Sequence, residues 1–245
     1  MKVIAHISDL HISKSTFEDE VFFKAVDEIN DLSPDFILLT GDITNNGYYS
    51  EFQKAMEYFK NFKPPLYAVP GNHDARHVGY EVFEELIGQR KWVLREYKDL
   101  TILGLDSSVP DLNNGHIGRP QQTWMEDEFD KCLKESTFSI VAMHHHVIPV
   151  PKTGRERNVL SDAGDILQSV IDYNIGMVLC GHKHVPHLWK MENTLFIHAG
   201  SLSSIKLRGK NVNSYNTYFI SDDSVDAVLN RVGGDKSSLG KFSRI

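Results

Sequence analysis

Polar residues able to bind metal recur in this chain immediately after apolar runs. Asp9 and His11 follow Val3–Ser8, and Asp42 follows Phe36–Thr40 through Gly41. Asn72, His73 and Asp74 follow Leu66–Val69 through Pro70-Gly71. His144, His145 and His146 follow Ser139–Met143, and His182 and His184 follow Gly176–Cys180 through Gly181. Mixed imidazole, carboxylate and amide donors suit a transition metal such as Mn, Fe, Zn, Co or Ni. Two aspartates, an asparagine and four or more histidines are too many for one ion that must keep an open position. They suit two ions bridged by a carboxylate. Such a pair, ~3.5–4 Å apart, clamps a phosphoryl group and lowers the pKa of a bridging water toward ~7. The nucleophile is then hydroxide rather than a side chain.

For that chemistry the apolar runs must be strands with their carboxyl ends on one rim, where ligands bind in open α/β sheets. Between the runs lie stretches with apolar residues at helical spacing: 17–32, 50–62, 81–86, 121–134 and 163–173. Strands are also expected over 92–97 and 100–106, joined by a tight turn around Lys98-Asp99. After residue 184 the pattern changes to hairpin-like strands over 185–190, 194–198, 215–220 and 225–232. This alternation predicts an α/β fold of two sheets packed face to face, with helices on their outer faces. One domain is expected over 1–232, followed by a polar, loosely held tail over 233–245. Glycine before Asp42, Asn72 and His182 permits sharp turns and close approach of the backbone to the ions.

Asp9-Leu10-His11, Gly41-Asp42, Gly71-Asn72-His73-Asp74, the His144 cluster and Gly181-His182-Lys183-His184 resemble the five signature blocks of the calcineurin-like metallophosphoesterases, in the family's order. The stretch GDITNNGYYSEFQKAMEYFKNFKPPLYAVPGNHDAR and the block MHHHVIPVP further resemble the class III cyclic-nucleotide phosphodiesterases. The resemblance implies a four-layer α/β/β/α sandwich of two mixed sheets. It implies one metal site from Asp9, His11, Asp42 and His184 and another from Asp42, Asn72, His144 and His182, with Asp42 as the bridge. The cofactors would be two divalent or mixed-valence transition-metal ions. His73 is implied to contact the phosphate or protonate the leaving oxygen, with Asp74 orienting it. In the family the ligand directly follows the apolar strand, which favours His144. If the strand runs one residue further, His145 takes that place, because side chains alternate. The implied activity is hydrolysis of a small phosphodiester such as a 3′,5′-cyclic nucleotide. A nuclease, a broad phosphomonoesterase and a non-enzymatic scaffold are the alternatives, and a homodimer is compatible with the resemblance.

The chain has 245 residues, 26 Lys and Arg against 33 Asp and Glu, and a net charge of −7. That balance argues against long nucleic acids, whose binding relies on phosphate neutralisation. Two cysteines, Cys132 and Cys180, cannot form a disulfide framework or an all-thiolate zinc site. The start, MKVIAHISDLH, is too briefly apolar for a signal peptide, and no run approaches the ~18–20 residues of a membrane span. A cytoplasmic protein without membrane partners is expected. Of the other histidines, His6 reads as a packed strand residue, and His77, His116, His187 and His198 as ordinary polar residues. His198, before the turn Ala199–Ser204, is a further candidate for the wall of the site. Two basic groups, Lys152, Arg155 and Arg157, and Lys206, Arg208 and Lys210, are candidates for steering an anion.

Overall fold

The computed structural model describes residues 1–97, 99–154 and 159–244. Lys98 of the expected turn, and Arg155 and Arg157 of the first basic group, lie outside the described residues. The strands are β1 (Lys2–Ile7), β2 (Phe36–Thr40), β3 (Leu66–Val69), β4 (Trp92–Tyr97), β5 (Leu100–Gly104), β6 (Phe138–Ala142), β7 (Met177–Cys180), β8 (His187–Met191), β9 (Thr194–His198), β10 (Ser214–Ile220), β11 (Ser224–Arg231) and β12 (Lys236–Ser243). The helices are α1 (Asp19–Leu32), α2 (Tyr49–Phe59), α3 (Gly79–Leu86), α4 (Arg119–Glu135) and α5 (Ala163–Asp172).

Two six-stranded mixed sheets result, ordered β12-β11-β10-β1-β2-β3 and β4-β5-β6-β7-β9-β8. β1, β2 and β3 run parallel in the first, and β5, β6, β7 and β9 in the second. Alternation along each strand separates the layers, because successive side chains point to opposite faces. Ile4, Phe36 and Leu38 of the first sheet meet Ile102, Ile140, Leu179 and Ile197 of the second in a core between the sheets. Ala5, Ile7, Ile37 and Leu39 point the other way, onto Phe22 and Ile29 of α1, Phe52 of α2 and Phe83 of α3. Leu103, Val141 and Val178 do the same for α4 and α5 through Met125, Phe129, Ile166 and Val170. Burying each such large side chain stabilises the fold by roughly 1.5–3 kcal/mol. The helices can serve as outer layers because each shows one apolar stripe; in α1 it is Phe22, Ala25, Val26 and Ile29, at helical spacing.

The expected loose tail is instead strand β12, antiparallel to β11. Its polar sequence hid it: in KSSLGKFS only Leu239 and Phe242 are large and apolar, and both pack against the core between the sheets. A charged, half-exposed edge strand of this kind also resists pairing with other chains. Among the described residues no helix is long and apolar enough to cross a membrane.

His6 occupies the inward face of β1 and is fully buried. Its Nδ1 lies 2.8 Å from the Tyr218 hydroxyl and its Nε2 2.9 Å from Thr40 Oγ1, so it ties β1 to both neighbouring strands. Burial holds its pKa down at about 3, against the weaker opposing pull of Asp9. Above the ordinary histidine pKa of about 6.5, His6 is neutral folded or unfolded and gives no pH dependence. Below it the unfolded chain binds a proton that the fold refuses, so stability falls by about 1.4 kcal/mol per pH unit until about pH 3. His6→Asn removes this term. In urea denaturation, the stability difference between the native chain and His6→Asn should therefore shrink by that slope on acidification. A difference independent of pH would contradict the neutral, buried assignment.

Candidate metal centre

The five donor-bearing loops meet on one rim because their strands run parallel within each sheet and the sheets stack with those ends together. Backbone hydrogen bonds join the loops. The Asp9 amide donates to the Gly41 carbonyl at 3.0 Å, the His11 amide to the Asp42 carbonyl at 2.9 Å and the Gly181 amide to the His144 carbonyl at 3.1 Å. The two sheets connect where the His182 amide donates to Asp9 Oδ2 at 3.0 Å. Neither Gly71 nor Gly181 has room for a Cβ: one would strike the Asp42 carboxylate and amide, the other Ser8 and the Asp9 carboxylate. Asp9, His11, Asp42, His182 and His184 all adopt positive φ, between 52° and 72°, which is uncommon for residues with a side chain.

Two clusters of donor atoms form. In the first, His184 Nε2 lies 3.1 Å from Asp9 Oδ1 and 3.0 Å from His11 Nε2. In the second, Asn72 Oδ1 lies 3.2 Å from His144 Nε2 and 3.0 Å from His182 Nδ1. Asp42 Oδ2 stands between them, 3.6 Å from His11 Nε2 and 3.4 Å from His144 Nε2. Asp42 Oδ1 accepts the His73 amide at 2.9 Å.

The donor chemistry fits two cations. A carbonyl can only accept, so His144 Nδ1 donates to the Thr40 carbonyl at 2.7 Å and His184 Nδ1 to that of Lys206. Each ring thus turns its Nε2 inward, the backbone-anchored arrangement typical of metal-binding histidine. Among the described residues buried Asp9 Oδ1 has no hydrogen-bond donor, and such an orphan calls for an explanation. Burial opposes charge on His144, yet Asp42, Asp9 and the Thr40 carbonyl raise its pKa to about 9. Burial likewise opposes charge on His184, and Asp9 overcomes it and raises the pKa. The carboxylate field that favours a proton at these atoms also favours a metal cation.

Alternation bears on the choice between His144 and His145. Val141 and Met143 face the outer core and Ile140 the inner one, so the next inward side chain in the series is His144. His145 is also within 4.8 Å of the second cluster. Its ring nitrogens, however, engage Ser107 Oγ at 2.9 Å and the Asn113 carbonyl at 3.3 Å.

His73 lines the cleft over both clusters, its ring edge-on to His11 at 4.6 Å. Burial lowers its pKa, with Asp42 opposing. The expectation that Asp74 orients His73 is corrected. His73 Nδ1 donates to the Asn45 carbonyl at 2.6 Å, whereas the Asp74 carboxylate accepts from the amides of Ile43, Thr44 and Gly71 and from the Thr44 hydroxyl. Asp74 follows His73 in sequence but points into the loop after β2, where it braces the turn carrying Asp42. Burial, and then Asp42, push its pKa up to about 7.

The cleft holds roughly 340 Å³, and Asn72, Arg76, Asn113, Lys206 and Arg208 also line it. Arg76 and Asn113 went unrecognised in the sequence; Arg76 sits two residues after Asp74, and nothing local distinguishes Asn113. Of the second basic group, Lys206 and Arg208 reach the cleft and Lys210 does not. Lys152 is exposed and lies outside it, and buried His198 packs beside His146, ring centres 5.6 Å apart, rather than forming its wall.

Comparison with known proteins agrees with this geometry. The family model described as "Calcineurin-like phosphoesterase" matches residues 2–186. A probable glycerophosphodiester phosphodiesterase of Arcobacter nitrofigilis is 27% identical over 206 residues, covering 74% of this chain and 71% of that one. A 3′,5′-cyclic-nucleotide phosphodiesterase of Nostoc sp. is 24% identical over 192 residues, with 74% and 71% covered. In fold, the chain is similar to a dimetal phosphatase from Danio rerio, with a TM-score of 0.73 at 11% identity over 97% of this chain and 98% of that one. With the sandwich, the paired donor clusters and the family match in agreement, this chain belongs to the calcineurin-like phosphoesterase family and is a hydrolase of phosphoric esters.

Proposed function

We propose that this chain is a phosphodiesterase with two metal ions, acting on a small phosphodiester such as a 3′,5′-cyclic nucleotide. The observation that carries the reading is the position of Asp42 Oδ2 between His11 and His144, one carboxylate oxygen common to two nitrogen clusters. Asp9, His11, Asp42 and His184 would hold one ion, and Asp42, Asn72, His144 and His182 the other. Bound there, the ions supply Lewis-acid chemistry, neutralising phosphoryl charge and activating water. Hydrolysis forms one P–O bond to water and breaks another to the leaving alkoxide, which must gain a proton. His73 would give it as the imidazolium, the form the Asp42 charge favours: Nδ1–H is committed to the Asn45 carbonyl, and the Nε2–H is left for the substrate side of the cleft. Lys206 and Arg76 flank it. The relatives' names, a glycerophosphodiester and a cyclic-nucleotide phosphodiesterase, share the small-phosphodiester class. The net charge of −7 weighs against long nucleic acid.

A metal-reconstituted panel tests the reading. It compares 3′,5′-cyclic AMP, bis(4-nitrophenyl) phosphate, a phosphomonoester and single-stranded DNA, alongside metal content per chain. Turnover should be highest on the small diesters; inactivity on all four with two metals bound would overturn it. Asp42→Asn should lower turnover at least about a hundredfold and reduce metal content, with the circular dichroism spectrum unchanged. Native turnover in that variant would remove the bridging role. His73→Ala should lose about 10²–10⁴-fold on alkyl diesters and distinctly less on nitrophenyl diesters, whose leaving group needs no proton. Equal losses on both would argue against a leaving-group acid.

A further inference from the structure

Among the described residues outside the cleft, four arginines are matched with acids, and Arg119 donates to Gln122 Oε1 at 3.3 Å. Arg90 pairs with Glu84 and Asp106, Arg95 with Glu128 and Glu135, Arg231 with Asp235 and Arg244 with Asp99. The cleft gathers several cations without such acid partners. Arg76, Lys206 and Arg208 all line it, and none of them pairs with a carboxylate among the described residues. Neutral oxygens hold them instead. Arg76 donates to the Asn45 carbonyl at 3.4 Å and to Asn113 Oδ1 at 2.9 Å, Lys206 Nζ to Asn45 Oδ1, and Arg208 to the Thr153 carbonyl at 3.2 Å. Among the described residues Asp42 is the one acid lining the cleft, and its carboxylate faces the donor clusters and the His73 amide. In a chain with more acids than bases, three cations gathered in one cleft on neutral supports are arranged for an anionic ligand.

These cations are registered to the reacting centre. Asn45 holds Lys206 with its side chain, while its carbonyl accepts from both His73 and Arg76. Lys206 Nζ is 3.5 Å from His11 Nδ1, and Arg208 lies two residues on, held by the Thr153 carbonyl. A simple phosphodiester carries one negative charge, which two metal cations held by the donor clusters would already neutralise. The guanidinium fork matches a further phosphate bidentately. The cleft's volume, roughly 340 Å³, suits a small molecule.

We propose that Arg76, Lys206 and Arg208 form a second anion subsite, which binds a phosphate group adjoining the scissile one. Small esters with two neighbouring phosphates are then turned over in preference to singly charged diesters, which remain substrates of the same centre. This rests on the phosphodiesterase reading, and the test separates the two.

The matched probes are the 4-nitrophenyl esters of thymidine 5′-monophosphate and thymidine 5′-diphosphate, with substrate loss followed by chromatography. The native enzyme should favour the diphosphate ester in kcat/KM by about tenfold or more at low ionic strength, and salt should erode the preference. Arg208→Gln and Arg76→Gln should each lower kcat/KM for the diphosphate ester about tenfold more than for the monophosphate ester. Lys152→Gln, an exposed charge outside the cleft, should alter neither value. Calorimetry on the metal-free protein supplies a readout independent of turnover: thymidine 5′-diphosphate should bind more tightly than the 5′-monophosphate, and Arg208→Gln should abolish the difference. Selective binding without turnover would sink the hydrolytic reading and leave the subsite standing. Equal losses on both esters, or no binding preference, would overturn the subsite and assign the three cations to the scissile phosphate alone.

Discussion

The centre depends on a buried carboxylate. Asp42 lies beneath the cleft with one oxygen on the His73 amide and the other between histidines delivered by opposite sheets. An ionised carboxylate removed from water is costly unless charge and hydrogen bonds compensate it. Burial works to raise the Asp42 pKa, and His144, His73 and His11 reverse that and hold it well below the usual carboxylate range. His11 and His73 follow strands of the sheet that carries Asp42, but His144 follows β6, so the full compensation requires the two sheets to be stacked with their strand ends aligned. The core between the sheets, built on Ile4, Leu38, Ile140 and Leu179, is therefore also what brings charge to Asp42.

The loops around it are held under strain. Five of the donor residues have positive φ, a conformation that costs of order 1–3 kcal/mol for a residue with a side chain. It persists because neighbouring contacts over-determine it. Amides at Asp9, His11 and Gly181 are tied to carbonyls of other loops, and the Asp74 carboxylate collects three amides around the β2 and β3 turns. Asp74 thus acts on the fold of the site rather than on the reacting atoms. A raised pKa for this group follows from the same placement: buried, beside Asp42, and only partly offset by backbone donors.

Much of this was legible in one dimension, with a physical reason for each success and failure. The apolar runs before Asp9, Asp42, Asn72, His144 and His182 are buried strands, and burial on both faces makes such runs conspicuous. Strand β12 was not legible, because an edge strand needs only two apolar residues and the rest of its sequence serves solvent. Proximity in sequence misled at Asp74, since the residue after His73 in a tight turn points away from it. Arg76 and Asn113 carried no signal because their role comes from a cleft assembled by residues from His11 to Arg208.

The sequence by itself determined the kinds of donor atoms, their order along the chain and their attachment to strand ends, because hydrophobic periodicity and turn residues act over a few positions. Tertiary structure alone decided which atoms face each other. It set His144 Nε2 3.2 Å from Asn72 Oδ1 and engaged the ring nitrogens of His145 with Ser107 and Asn113. It placed Asp42 between clusters from two sheets, and it brought the Lys206 ammonium to within 3.5 Å of His11, 195 positions away. Contacts at that separation depend on sheet register, sheet stacking and backbone carbonyls, none of which a local pattern encodes.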